Sequence, residues 1–312
     1  MELISSDIEQ SYNYVLRNGF KLNENFYNCS GIDGFQLGVP RPWLGSYFLT
    51  TGVFLMIIYI PCLIVISRSD LMKSSCYKIM MFLGILDICC IFVNSIATGF
   101  LGIQGATPCS YPIFIFSMGA LGCVVFTLYA IFFTKTASFN SNLMSWFFNP
   151  LLPNGKQATD YLNIQHAINN CIVAGATPII YAYLCVILFA KSRFVKSESM
   201  TKTQRQVFFQ SVLICTFNAI AAYIYVYMQY FTPAPITIII GQIAWQWSHG
   251  SVCLIYITMN RTVRRGVIDL FLPSSIRNKH KIGTYRQKVQ RLSITGTEGK
   301  TTVPTSSGTD VF

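Results

Sequence analysis

The chain reads as a polytopic, all-α membrane bundle, on three observations. Of its 312 residues 52% are hydrophobic and only 11% charged, where a soluble domain carries about 25% charged. Mean hydropathy is +0.46. Six runs, residues 44–66, 79–101, 111–134, 171–190, 207–229 and 235–257, each have the roughly 20 apolar residues that cross a ~30 Å hydrocarbon core. Basic residues gather beside alternate ends of these runs, as the positive-inside bias requires. Strands with open edges would leave backbone groups unsatisfied in lipid, so the runs are predicted helices.

Each part of the chain follows from its composition. Residues 1–43 hold five acids against three bases and no apolar run. They are expected to form an extracellular tail with no cleaved signal peptide, the first run serving as the targeting signal. Residues 44–271 make the helical membrane domain. Residues 272–312 are basic and then rich in Ser, Thr and Gly, a composition expected of a disordered cytoplasmic tail. Ser293, behind Arg291, is a candidate phosphorylation site there. Asn28-Cys-Ser is a glycosylation sequon on the outer side and Asn260-Arg-Thr one on the inner side, so only Asn28 is expected to carry glycan.

The net charge of +11 does not point to nucleic acid, because the bases flank spans instead of lining one face. Eight of the eleven cysteines lie inside the runs, where cysteine is a small hydrophobe, and Cys76 lies in a basic inner loop. Cys29 and Cys109 fall on the outer side, where oxidation is permitted, and are the expected disulfide.

Charge counting then meets a conflict of parity. Arg68, Lys73 and Lys78 put the loop after the first run inside, and the base-free stretch 102–110 lies outside. Lys191, Arg193, Lys196, Lys202 and Arg205 put the loop after the fourth run inside, and Arg261, Arg264 and Arg265 do the same after the sixth. An odd number of crossings must therefore separate residue 110 from residue 191, yet two runs lie between. The run 111–134 opens on Pro112 and is interrupted by Gly119 and Gly122. Either it fails to cross or one crossing is absent from the chain.

Several blocks carry a resemblance. SCYKIMMFLGILDI (75–88), GFLGIQGATPCSYP (99–112), PRPWLGSYFLTTGVFLMIIYIPCLIV (40–65), FFTKTASFNSNLMSWFFNP (132–150) and GQIAWQWSHGSVCLIYITMNRTVRR (241–265) are similar to the nematode serpentine receptors of class T, over residues 26–271 and in order. The resemblance implies a seven-helix receptor coupled to a heterotrimeric G protein and sensing a small molecule or odorant. It also implies residence in the plasma membrane, including that of sensory cilia. Against the family pattern, MGALGCVV (118–125), similar to the outer half of helix three, runs straight into FTLYAIFFTK (126–135), similar to the outer half of helix four. The inner half-hairpin is missing around 123–126, which accounts for the parity conflict. Val252 also stands where the family has a proline after His-Gly-Ser, so a kink in the last span is not expected.

Candidate residues follow. Asp87, the one acid inside a run, costs about 2.5–3.5 kcal/mol to insert and marks a functional site by default, with Asn94 two turns on. An intramembrane polar switch and a plain interhelical hydrogen bond both call for inward side chains. The family-like topology puts Tyr223, Tyr227, Gln242, Trp245, Gln246 and His249 in the outer halves of the last two spans, where they would line a ligand pocket. Packing or interfacial anchoring explains aromatic residues there equally well. The basic residues Lys191, Arg193, Lys196, Lys202, Arg205, Arg261, Arg264 and Arg265, with Asn260, would meet the G protein. Orientation and contact with anionic lipid is their plainer role, and the favoured one given the missing hairpin.

No enzyme is expected. An intramembrane aspartyl protease needs a second carboxylate, Ser248 and His249 fall on different helix faces, and no zinc or nucleotide motif calls for a metal or cofactor. Two alternatives remain: a six-span channel or transporter, without a voltage-sensor arginine ladder or internal repeat, and a truncated, non-signalling receptor held in the endoplasmic reticulum.

Overall fold

The computed structural model describes residues 2–68, 70–73, 75–122, 128–153, 155–194, 202–231 and 233–271. One unit spans Met1–Arg264 and a second begins at Arg265. The amino-terminal segment, expected to trail as a tail, is folded within the first unit as a cap. Three short helices, α1 (Glu2–Glu9), α2 (Tyr12–Arg17) and α3 (Gly34–Leu37), make it up. Asp33 caps α3 by accepting from the Phe35 N–H at 3.0 Å. A disulfide between Cys29 and Cys109 ties the segment to the bundle, with Cα atoms 5.4 Å apart. Val15, Phe26, Tyr27, Phe116 and Tyr161 pack beneath it, with Tyr27 edge-on to Phe116 at 5.3 Å. Burial raises the pKa of both the Tyr27 and Tyr161 phenols. A sequence scan for long apolar runs misses such a cap because no single piece of it is long.

Helix α4 (Pro42–Arg68) leaves this end of the bundle. A 3-10 turn (Asp70–Lys73) leads to α5 (Ser75–Ile91), which continues through a π-helical turn (Phe92–Ala97) into α6 (Thr98–Gln104) and returns. Among the described residues, Pro42–Arg68 and Tyr77–Gln104 are the two stretches that combine full membrane length with high apolarity. They meet closely. A Cβ on Gly99 would lie 2.6 Å from the Gly45 carbonyl oxygen, and one on Gly52 2.6 Å from the Ser95 Cβ. Lipid tails are as apolar as leucine, so close contact between small residues holds such helices together. Gly105 ends α6 in the left-handed region at φ +69°.

The run 111–134 is not a single helix. It holds α7 (Pro112–Gly122) and α8 (Leu128–Phe133), of 11 and 6 residues. Eleven residues rise about 16 Å, near half a hydrocarbon core. The junction 123–126, where the hairpin is expected to be missing, lies outside the described residues. Both ends of the run sit beneath the cap. At its start are the disulfide and the Phe35–Tyr111 ring contact at 5.4 Å. Past its end, the Thr136 N–H donates to the Gln10 carbonyl at 3.1 Å. Gly119 lies so close to the Ala137 carbonyl that no Cβ fits there. The chain thus leaves this segment at the end of the bundle where it came in.

A short antiparallel hairpin follows, β1 (Ser138–Asn140) and β2 (Ser145–Phe147), with Phe139 opposite Trp146. After a 3-10 turn (Ala158–Tyr161) come α9 (Ile164–Phe194), α10 (Lys202–Tyr230) and α11 (Pro235–Met259). At 31, 29 and 25 residues each exceeds a ~30 Å core. Helix α9 begins well before the apolar run at 171; in that first stretch Asn170 is buried while Ile164 and Ile168 are exposed. Helix α12 (Arg261–Phe271) is amphipathic and runs into the second unit.

Lys135, inside no element, is the latch of the cap. It is 3% exposed and its Nζ donates to the Asp160 and Leu162 carbonyls at 2.8 and 3.1 Å, with Asp7 at 3.4 Å. Burial raises the Asp7 pKa more than the Lys135 ammonium lowers it, so the carbonyl bonds, not the ion pair, are the stabilising part. Lys135→Met is expected to cost about 2 kcal/mol through the stranded carbonyls, and Asp7→Asn about 0.5 kcal/mol or less. Thermal midpoints in detergent check the order; equal losses would make the ion pair the latch. Gly99→Val, which forces α4 and α6 apart, should lower the same midpoint more than Gly175→Val, where nothing lies within 4 Å of the added carbon.

Candidate functional site

The inward face of α11 repeats polar residues at helical spacing: Gln242, Gln246 and His249. Opposite them the π-helical turn carries its own polar set, and the two interlock. Thr98 Oγ1 donates to the Val93 carbonyl at 2.9 Å and accepts from Trp146 Nε1 at 2.8 Å. Gln242 Nε2 donates to the Asn94 carbonyl at 3.1 Å, while its Oε1 accepts from Ser145 at 3.1 Å. Gln246 Nε2 donates to Ser95 Oγ at 3.0 Å, and Ser95 donates to Asn94 Oδ1 at 2.7 Å. Asn94 Nδ2 reaches the Trp245 carbonyl at 3.3 Å. A π turn offsets the helix by one residue, and Asn94 and Ser95 are both fully buried within it.

Two turns closer to the far end lies the intramembrane acid. Asp87 is 9% exposed. Its Oδ2 accepts from the fully buried Tyr59 hydroxyl at 2.5 Å, and its Oδ1 meets His249 Nδ1 at 2.7 Å. The acid is thus held from α4 and α11 together. Among the described residues no group of three or more His, Cys, Asp or Glu side chains could hold a metal ion.

His249 also faces a cavity of about 250 Å³ bounded by α7, the β-hairpin, α9, α10 and α11. Trp146 and Phe148 enter its wall from the hairpin, and Trp245 and Tyr225 from α11 and α10. Tyr225 stands edge-on to Trp245 at 6.4 Å. Polar lining comes from His166, Asn169 and Asn170 on α9, Asn218 on α10 and Ser248 on α11. Asn170 Nδ2 and His166 Nε2 are 3.0 Å apart. Gly119, Gly122, Ala221 and Ala222 provide the space. Phe148 also packs on the buried cluster under the cap, so the cap braces one wall.

Of the six candidate pocket residues, Trp245 and His249 line this cavity. Gln242 and Gln246 are fully buried beside it in the polar interlock. Tyr223 and Tyr227, 54% and 46% exposed, do not line it; Tyr227 stacks on Phe231 at 5.0 Å on the outer side of α10. Asp87 and Asn94 both face α11. Asn28 sits in an exposed turn, its side chain accepting from the Ser30 N–H at 2.9 Å. Lys191 and Arg193 end α9 and Lys202 and Arg205 begin α10, all at the far end from the cap; Lys196 lies outside the described residues. Asn260 caps α12 by accepting from the Thr262 and Val263 N–H groups at 3.1 and 3.2 Å. Arg261 is exposed, Arg264 donates to the Thr258 carbonyl, and Arg265 opens the second unit. Tyr59, Tyr225 and the asparagines of α9 and α10 escaped the sequence reading. Asn218, a polar residue inside an apolar run, was the signal available.

Comparison with known proteins agrees with this architecture. The chain matches the family described as serpentine type 7TM GPCR chemoreceptor Srt over residues 10–125 and 122–280, two stretches that meet at 122–125. It is 26% identical over 292 residues to Serpentine receptor class T-55 of Caenorhabditis elegans, covering 78% of this chain and 80% of that protein. An alignment of 292 positions exceeds 78% of 312 residues, so that relative has positions without a counterpart here. A fold of long helices, a cavity among them and a family match across most of the chain lead to one assignment: the chain belongs to the Srt family of serpentine seven-transmembrane chemoreceptors and is a multi-pass membrane protein.

Proposed function

We propose that the chain is a receptor whose outer half binds a small molecule and whose coupling to a heterotrimeric G protein is impaired. The observation that carries the first part is the cavity, because its lining includes His249, which is bonded to Asp87. A ligand that moves α11 would disturb the Asp87–His249–Tyr59 contacts, and through α4 and α5 that change would reach the inner end. In this reading Asp87 and Asn94 are the switch, and Trp245 and His249 are pocket residues. Lys191, Arg193, Lys196, Lys202, Arg205, Asn260, Arg261, Arg264 and Arg265 form the basic inner face, near G protein and anionic lipid.

The second part rests on where the two ends of 111–134 lie. With both ends of 111–134 beneath the cap, the segment enters and leaves the bilayer on the outer side. Five full crossings then remain, an odd number, and the basic loops after α4, α9 and α11 all fall inside. The parity conflict disappears without moving any charge. The missing inner hairpin would otherwise face the G protein, so ligand binding survives while signalling is weakened. Residence is proposed at the plasma membrane, with retention in the endoplasmic reticulum as the outcome if the shortened segment fails quality control.

Glycosylation mapping tests the topology. Asn28 and an acceptor introduced beside Lys156 should be modified, whereas Asn260 and an acceptor introduced beside Lys202 should not. Glycan on the Lys202 site would replace this reading with an even-numbered bundle, the channel or transporter class. Maturation of the Asn28 glycan separates surface delivery from retention. The switch is tested by Asp87→Ala, which strands the Tyr59 hydroxyl and His249 and should cost about 3 kcal/mol or more. Tyr59→Phe should cost only about 1 kcal/mol. Thermal midpoints read the difference, and equal small effects would leave Asp87 a peripheral contact.

A further inference from the structure

The cavity's electrostatics narrow its ligand, an inference that rests on the small-molecule reading above. Among the described residues, no Asp, Glu, Lys or Arg lines it. Its polar lining is made of amides, a hydroxyl and imidazoles, which are dipoles with no fixed net charge. The nearest acid, Asp87, is not turned to the ligand space. Its two oxygens are taken by Tyr59 at 2.5 Å and His249 at 2.7 Å. A proton on His249 is matched by the carboxylate 2.7 Å behind it.

A charged ligand would therefore lose its water and find no counter-charge. Trp146, Tyr225 and Trp245 offer ring faces to a cation, but a cation–π contact returns only a fraction of the cost of burying an unpaired charge. A neutral ligand meets no such cost. Its apolar part would lie against the rings, and a carbonyl, amide or hydroxyl group would pair with Asn169 or Asn170. Size sets a second limit. About 250 Å³, filled at the interior packing density of ~0.74, takes a molecule of on the order of ten non-hydrogen atoms. We propose that the receptor's ligand class is small, electrically neutral molecules with an apolar or aromatic body and one or two hydrogen-bonding groups.

Benzamide, benzoate and benzamidinium test this directly, being nearly isosteric and differing in charge. Each would be titrated into the full chain in lipid nanodiscs, followed by tryptophan fluorescence and thermal shift. At roughly 0.3–1.5 kcal/mol per non-hydrogen atom, ligands of this size range from weaker than millimolar to much tighter, so titrations run from micromolar to millimolar. The expected result is benzamide binding at least tenfold more tightly than either ion. Val173→Trp, which fills the cavity, should abolish it, and Asn169→Leu should weaken it about tenfold. An intact Cys29–Cys109 bond and unchanged helicity establish that each variant is folded. Benzoate or benzamidinium binding as well as benzamide, and lost in Val173→Trp, overturns the neutral class but keeps the cavity. Binding of the amide that is indifferent to Val173→Trp moves the site elsewhere and overturns the proposal. No binding by any of the three overturns the small-molecule reading itself.

Discussion

Helices in a bilayer gain nothing by hiding leucines from lipid, so this bundle depends on polar contacts and on backbones brought close together. The polar interlock between α11 and the π-helical turn is the centre of it. Gln242, Gln246 and His249, in order along α11, meet Thr98, Ser95 and Asp87 in reverse order along the returning helix. Each buried polar group is costly alone and stabilising when paired. The register between the two helices is therefore fixed more sharply than apolar packing would fix it. Glycines at 45, 52 and 99 then let α4 close on the same helix from the other side.

That interlock also explains where the cavity lies. Beside α11, α4 and the α5–α6 helix are tied by short bonds and glycine contacts. On the other side alanines, asparagines and rings of α9, α10 and α11 line a space of about 250 Å³. Rigid and open walls meet at His249. It belongs to both, as a partner of Asp87 and as a lining residue.

Membrane helices were legible in the sequence because their signal, length with apolarity, is summed over some twenty residues and survives local exceptions. The folded cap was not, since α1, α2 and α3 have eight, six and four residues and gain their stability from a disulfide and from Lys135. Lys135 itself reads as an ordinary surface base until Asp160 and Leu162 are brought to it across 25 residues or more. In the site, α10 is weakly amphipathic, so nothing in its sequence says that Tyr225 turns inward while Tyr223 and Tyr227 turn out. The π turn is likewise invisible, because it is imposed by partners on α11 and the hairpin.

Charge counting and segment counting disagree over one run, and the reason is physical. A run of apolar residues reports only that lipid is tolerated, which is as true of two half-helices as of one full helix. Lysines and arginines report the side on which a loop rests, since carrying one across the core costs several kcal/mol. When the two disagree over 111–134, the charges are the firmer constraint, and a segment whose two ends both lie beneath the cap is consistent with them. The chain is thereby divided by depth. Cap, disulfide, hairpin and both described ends of 111–134 lie together at one end of the bundle.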